Sequence, residues 1–350
     1  MRRGPINPFF SKKRVVAFEH HIQEKVQSLK DKISEYAGTD RVLPLHRAYT
    51  ALIGDVVTEY CFAKSYGHLK SPDFTETFHE AMHSTCRSST FLHQFPFLWP
   101  ILKVLPDWFV VMIEPSFLIH INVQRDFRKE ITALKEGKNS SRKTADHPTL
   151  FYEMLNAPDL PPGEKSIDRL EEEAQVIIGA AILTTSWSAA VASFHITNNP
   201  EVYHKLHTEL VSAIPDPFQA IRWSQVENLP YLSAVIKEGI RLAYGIASRL
   251  PRVARNDLKY QNWIIPAGVP ISMTILDINH SEDVFPDSYK FLPERWISTD
   301  PTFSPKAPNG LPLEKYFVGF SKGSRNCIGQ KYVLPFPLLF LFPSSSPNHR

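Results

Sequence analysis

Residues 166–197 form the longest helix-like stretch of the chain, with Ser166 placed as an N-cap and Asp168 in the first turn. At 1.5 Å per residue such a helix runs roughly 45 Å, enough to cross a whole domain. The rest of the fold has to be built around it, so the expected class is mainly α. Its middle, Gly179-Ala180-Ala181-Ile182-Leu183-Thr184-Thr185-Ser186, combines small residues, which let a flat ligand approach, with hydroxyls. Hydroxyls inside a helix bond back to the carbonyl four residues earlier and open the ladder slightly.

Residues 12–36 and 231–242 carry helical periodicity, 49–64 continue apolar, 126–143 read as a charged helix fading into a linker, and 200–214 and 224–228 read as two further helices. Residues 248–253 and 263–273 alternate apolar residues with Pro and Gly and read as short strands and turns. The run 135–147 reads as a polar linker whose charge serves solvation. The chain has 350 residues, 43% of them hydrophobic, which suits one large globular domain or two. A net charge of +3 points away from nucleic acid and from polyacid partners. Three cysteines, Cys61, Cys86 and Cys327, have no CxxC spacing, which argues against a disulfide scaffold or a zinc ribbon.

No stretch reaches about 18 uninterrupted apolar residues. The apolar segment 95–121 is broken by Lys103, Asp107, Glu114 and four prolines. Two readings of it stay open: a core-packed helix pair, or a patch that dips into a bilayer surface.

The run Phe320-Ser321-Lys322-Gly323-Ser324-Arg325-Asn326-Cys327-Ile328-Gly329 has the form FxxGxRxCxG. A lone cysteine reads as an ordinary buried thiol. Four matched positions at fixed spacing point instead to a thiolate ligand of haem iron. A thiolate needs donors and cations to hold its charge. Gly323 and Gly329 permit close backbone approach and positive φ. Phe320 is placed to shield the proximal side of the iron and Arg325 to pair with a haem propionate, giving a buried axial ligand on a stiff loop.

This run resembles the haem-binding loop of the cytochrome P450 family. Glu238 and Arg241 in residues 231–242 resemble the family's ExxR helix, and Phe291-Leu292-Pro293-Glu294-Arg295-Trp296 resembles its PERF or PERW motif. The resemblance implies that Arg295 joins Glu238 and Arg241 in one structural network. It implies a propionate contact for Arg252, within Ser248-Arg249-Leu250-Pro251-Arg252-Val253, and for Arg3 near the start of the chain. The long stretch 166–197 resembles the helix over the haem, with Thr184 aligned to the threonine that holds water beside bound oxygen. The family pattern AGx(D/E)TT has an acid before that threonine, where this chain has Leu183.

Leucine cannot relay a proton. Three readings follow: water and Thr184 suffice, the chemistry needs no full oxygen activation, or the activity is impaired. The resemblance covers residues 1–332 as a partial cytochrome P450 domain, an incomplete and mainly α fold with a small β part. Residues 333–350 form a low-complexity tail; from 334 to 347 only Leu, Pro, Phe and Ser occur, in place of the helix the family has there. That composition is expected of translation past a missed splice site near Lys331, and the abrupt start is expected of a piece of a longer parent.

The implied activity is haem-thiolate monooxygenation with haem b, in which one atom of O2 enters a small apolar substrate, terpenoid-like or another secondary metabolite. Electrons come from NAD(P)H through NADPH–cytochrome P450 reductase. The parent is expected at the cytosolic face of the endoplasmic reticulum membrane. Motifs such as NPFFS and GxxxxTTSW resemble fungal members. The alternatives are a haem-thiolate isomerase or dehydratase, and a truncated product unable to hold haem.

Overall fold

A computed structural model describes residues 3–95, 97–113, 115–139, 145–216, 221–298 and 304–330. The low-complexity tail lies outside these, as do residues 140–144 of the linker. The described residues divide into two compact units, the first drawn from 3–190, 210–227 and 328–330 and the second from 191–209 and 228–327.

The first unit is helical. It holds α1 (Arg3–Ile6), α2 (Lys12–Ala17), α3 (Glu19–Ser34), α4 (Leu45–Phe62), α5 (Glu76–Gln94), α6 (Leu98–Val104), α7 (Asp107–Ile113), α8 (Pro115–Lys135) and α9 (Leu150–Asn156). The single helix expected over 12–36 is broken at Phe18 (φ −95°, ψ 1°), whose ring is buried against Tyr60, His21 and His147. Burying that ring outweighs continuation of the helix. In α4, Asp55 is 1% exposed and accepts the backbone N–H groups of His68 (2.9 Å) and Leu69 (3.0 Å), which fixes the turn after the helix. Phe62 at its end stacks on Phe151 (4.8 Å) and Phe127 (5.9 Å), joining α4, α9 and α8.

The long helix α10 (Ile167–Thr197) begins one residue after Ser166, whose Oγ accepts from Arg169 N at 3.4 Å. On length and composition it is apolar enough to cross a membrane. Its stripe Leu170, Ala174, Ile178, Ile182 and Ala189 is buried in protein, and Glu171 pairs with Arg128 of α8, as a core helix requires. Segment 95–121 is not a core-packed helix pair. Phe97, Val104, Trp108 and Met112 of α6, α7 and their flanks are exposed, whereas Val110 is buried. Helices α11 (Pro200–Ala213) and α12 (Trp223–Val226) follow, each within a residue or two of expectation at its ends.

The second unit is organised on α13 (Pro230–Ala243). Tyr231, Leu232, Val235, Ile236, Ile240 and Leu242 are buried, and Tyr244 ends the helix in the left-handed region (φ 64°). Two small antiparallel ribbons follow: β1 (Arg252–Val253) with β4 (Pro270–Ile271), in register Arg252 to Ile271, and β2 (Leu258–Tyr260) with β3 (Trp263–Ile265). A short helix α14 (Ile275–Asn279) leads into the 3-10 turn Pro293–Trp296.

Candidate functional site

The brace expected behind the cysteine is formed and is larger than its three named residues. Glu238 (0% exposed) and Arg241 (1%) meet in a two-pronged ion pair, Nη2 to Oε1 at 2.8 Å and Nε to Oε2 at 2.9 Å. Arg295 Nε donates to the same Oε1 at 3.1 Å. Two donors absent from the sequence reading complete the carboxylate: Leu292 N to Oε1 (3.1 Å) and Trp296 Nε1 to Oε2 (2.9 Å). Arg241 also donates to the carbonyls of Asn279 (2.6 Å) and Lys290 (3.3 Å), and Asn279 Nδ2 returns a bond to the Arg241 carbonyl at 2.7 Å. The only signal for Leu292, Trp296 and Lys290 was their position inside or beside the FLPERW run, and Asn279 had none.

Burial pushes the Arg295 guanidinium below its ordinary pKa, and the Glu238 carboxylate opposes that shift. Both guanidinium groups also lie over the Phe285 ring, at 5.1 Å for Arg241 and 5.9 Å for Arg295. A buried charge network this fully paired holds one arrangement of three separate segments.

The cysteine loop hangs from this brace. The Trp296 ring meets Phe317 edge-on at 5.5 Å, and Phe317 meets Phe320 edge-on at 5.9 Å. Gly319 lies so close to α13 that an added Cβ would collide with Ile240 Cγ2. Beyond it Ser321 (φ 60°) and Gly323 (φ 79°) both take left-handed conformations, and Gly323–Arg325 form a 3-10 turn. Cys327 N then donates to Phe320 O at 2.8 Å, and Asn326 N to Gly323 O at 3.1 Å. Gly329 lies in the turn that follows. The stiff loop is therefore present, but the Cys327 side is exposed rather than buried. Local hydrogen bonds set the loop's path, while its burial depends on what packs over it.

Arg325 and Arg252 are both exposed, and neither pairs with a carboxylate among the described residues. Arg252 donates to the carbonyls of its own neighbours Pro251 (2.9 Å) and Leu250 (3.5 Å). Ile246, Leu250, Val253 and Met273 in the same unit are exposed apolar residues. A thiol on a fixed loop, two exposed guanidinium groups without a carboxylate partner among the described residues, and exposed apolar residues fit an apolar, iron-bearing ring with anionic edges. The Arg3 side chain lies outside the described residues.

In the first unit Thr184 Oγ1 donates to Ala180 O at 2.8 Å and the residue is half-buried. Thr185 and Ser186 are buried, and Leu183 is half-buried.

The cytochrome P450 family profile matches residues 1–332. The chain is 40% identical to the cytochrome P450 monooxygenase sdnE of Sordaria araneosa, over 94% of this chain and 64% of that protein. It is 39% identical to the cytochrome P450 monooxygenase MO6277 of Ascocoryne sarcoides, with the same coverage, and 35% identical to tpcC of Cochliobolus heterostrophus. The chain thus spans under two thirds of the length of these relatives. In fold it is similar to a crystal structure of a cytochrome P450, CYP102L1, with a TM-score of 0.70 and 18% identity over 96% of this chain and 69% of that one.

Proposed function

The chain belongs to the cytochrome P450 family, and on that premise we propose that it carries the thiolate, propionate-binding and distal-helix elements of a haem-thiolate monooxygenase. The observation that carries the reading is the Cys327 loop, fixed by its bond to Phe320 and hung from the Glu238 network. The group it would hold is haem b, which supplies oxygen binding and electron acceptance when bound.

Each residue then has one task. Cys327 would hold the iron of that group through its sulfur as thiolate. The left-handed turn at Gly323 keeps the loop tight beneath it. Phe320 shields the sulfur from water, and Gly329 lets the chain leave without a clash. Arg325, Arg252 and Arg3 would hold the group's propionates by charge. Thr184 Oγ1, already bonded to Ala180 O, holds a water by its oxygen lone pairs. In the complete reaction one atom of O2 would enter the substrate and the other would leave as water, taking up two protons from solvent and two electrons from NAD(P)H through NADPH–cytochrome P450 reductase.

The substrate we propose is a small apolar secondary metabolite, supported by the exposed apolar residues Ile246, Leu250, Val253 and Met273 of the unit that carries the Cys327 loop. The exposed apolar residues of α6 and α7 support seating against a membrane surface, at the cytosolic face of the endoplasmic reticulum. We further propose that residues 1–332 act as the family domain and 333–350 as an appended tail.

Leu183 favours a second reading, a haem-thiolate isomerase or dehydratase that needs no proton relay. The test is the optical spectrum of the reduced, CO-treated chain reconstituted with haem. A red-shifted Soret band lost in Cys327→Ser supports thiolate ligation; a wild-type chain without that band overturns it. Turnover that requires NADPH and reductase selects the monooxygenase, and NADPH-independent conversion selects the isomerase. Under the first outcome Thr184→Ala uncouples electron consumption from product, and unchanged coupling removes Thr184 from the mechanism.

A further inference from the structure

The first unit gathers three imidazoles that the cytochrome reading does not use. His46 comes from the first turn of α4, and His79 and His83 lie four residues apart on one face of α5. One ligand atom from each lies within 4.8 Å of the others. The ring centroids are 4.7 Å apart for His46 and His79, 4.8 Å for His46 and His83, and 4.5 Å for His79 and His83.

Two details separate this group from imidazoles that merely stack. The first is that His46 Nε2 is buried with no hydrogen-bond partner among the described residues, a costly state for a ring nitrogen. The second is that Thr50 orients a neighbour. Its Oγ1 lies 3.0 Å from the His46 carbonyl and 3.0 Å from His79 Nδ1. The carbonyl can only accept, so the hydroxyl proton goes there and the hydroxyl oxygen accepts from His79 Nδ1–H. That leaves His79 Nε2 with its lone pair, the arrangement by which an outer hydrogen bond fixes a metal-binding tautomer.

The charge state agrees. Burial, with the neighbouring imidazoles, pushes His46 and His79 down to about 4, so both are neutral at neutral pH, as ligands must be. The nearby Arg47 guanidinium is taken up by Glu76. No carboxylate or thiolate belongs to the trio.

We propose that His46, His79 and His83 form a binding site for one divalent transition-metal ion of the zinc class, with the remaining coordination position open to water. Three neutral nitrogen donors suit Zn2+, Co2+, Ni2+ or Cu2+ and disfavour Mg2+ and Ca2+, which take oxygen ligands. The ion ties α4 to α5. It sits beside Trp187 of α10, whose ring is 5.4 Å from that of His46, one helical turn from Thr184. The site stands independently of the haem reading.

The test uses the full chain without a histidine tag, freed of metal and titrated with Co2+ and then Zn2+. The expected result is the d–d absorption of four-coordinate Co2+ at one ion per chain, abolished by stoichiometric Zn2+. His46→Ala and His79→Gln remove the band, and Thr50→Val weakens binding about 10- to 100-fold. The paired His20→Ala and His21→Ala change leaves it intact, although His20, His21 and Asp146 form the other close trio. A wild-type chain with no stoichiometric band overturns the proposal whatever the variants do. So does a band that survives His46→Ala in a variant of unchanged far-UV spectrum, or one that disappears with His20 and His21.

Discussion

The backbone N–H of Cys327 donates to the carbonyl of Phe320 at 2.8 Å, closing the loop on the residue whose ring packs against Phe317. Phe317 packs in turn on Trp296, and Trp296 donates to Glu238. A contiguous set of packed rings and hydrogen bonds therefore runs from a buried carboxylate to the cysteine. Its members come from α13, the 3-10 turn Pro293–Trp296 and the loop itself.

Replacing Glu238 by Ala leaves Arg241, 1% exposed, without its carboxylate. A broken buried pair costs on the order of 3–5 kcal/mol. Trp296→Phe removes one donor and leaves the rest of the network in place, costing about 1 kcal/mol. Urea unfolding followed by tryptophan emission and by far-UV signal measures both. Equal and small losses would show that the network does not hold the unit.

Gly319→Ala pushes a methyl into Ile240 Cγ2. Overpacking of this kind costs about 1–3 kcal/mol. The double change with Ile240→Ala should lose less than the sum of the singles, because the two side chains compete for one space. Strict additivity in that cycle would contradict the close approach.

Cys61 is fully buried, and burial pushes its thiol pKa up, whereas Cys327 is exposed. In a Cys86→Ser background, alkylation of the folded, haem-free chain at neutral pH should label Cys327 and spare Cys61. Added haem should then protect Cys327. Peptide mass spectrometry reads both sites, and labelling of Cys61 in the folded chain would be the contrary result.

His68 is buried, stacked on Phe78 at 4.1 Å, and held below its ordinary 6.5 by burial, with the Asp55 carboxylate opposing. His21, His195 and His280 shift the same way, burial again the largest cause. The unfolded chain thus binds these protons more tightly than the folded one. Their contribution to stability is complete above about pH 6.5 and declines as the pH falls below it. The urea midpoint should drop on acidification, and His68→Gln should make that drop shallower. A variant with the wild-type slope would remove His68 from the account.

The helical class and the long helix were legible in the sequence because both rest on local periodicity. The ends of α10 fall within a residue of expectation, and α11 to α13 within two. Local rules failed where a buried ring competed with them. Phe18 splits one expected helix in two, and α5 (ETFHEAMHSTCRSSTFLHQ) went unread although its amphipathic contrast equals that of α3. With it went His79 and His83. Segment 95–121 is apolar by composition, yet only the folded chain shows which of its residues face outward.

At the site, the sequence by itself determined what covalent spacing controls. Glu238 and Arg241 share a helix face because they are three residues apart, and the glycine, arginine and cysteine of the loop sit at the spacing of a haem-binding turn. The tertiary structure decided everything that joins distant segments. Leu292 and Trp296 meet Glu238 across more than fifty positions, and Asn279 closes on the Arg241 carbonyl. His46 meets His79 and His83 from another helix. These pairings follow from which apolar faces are buried together and which polar groups must then be satisfied away from water. No local pattern encodes that choice, because its free energy exists only once the segments have packed.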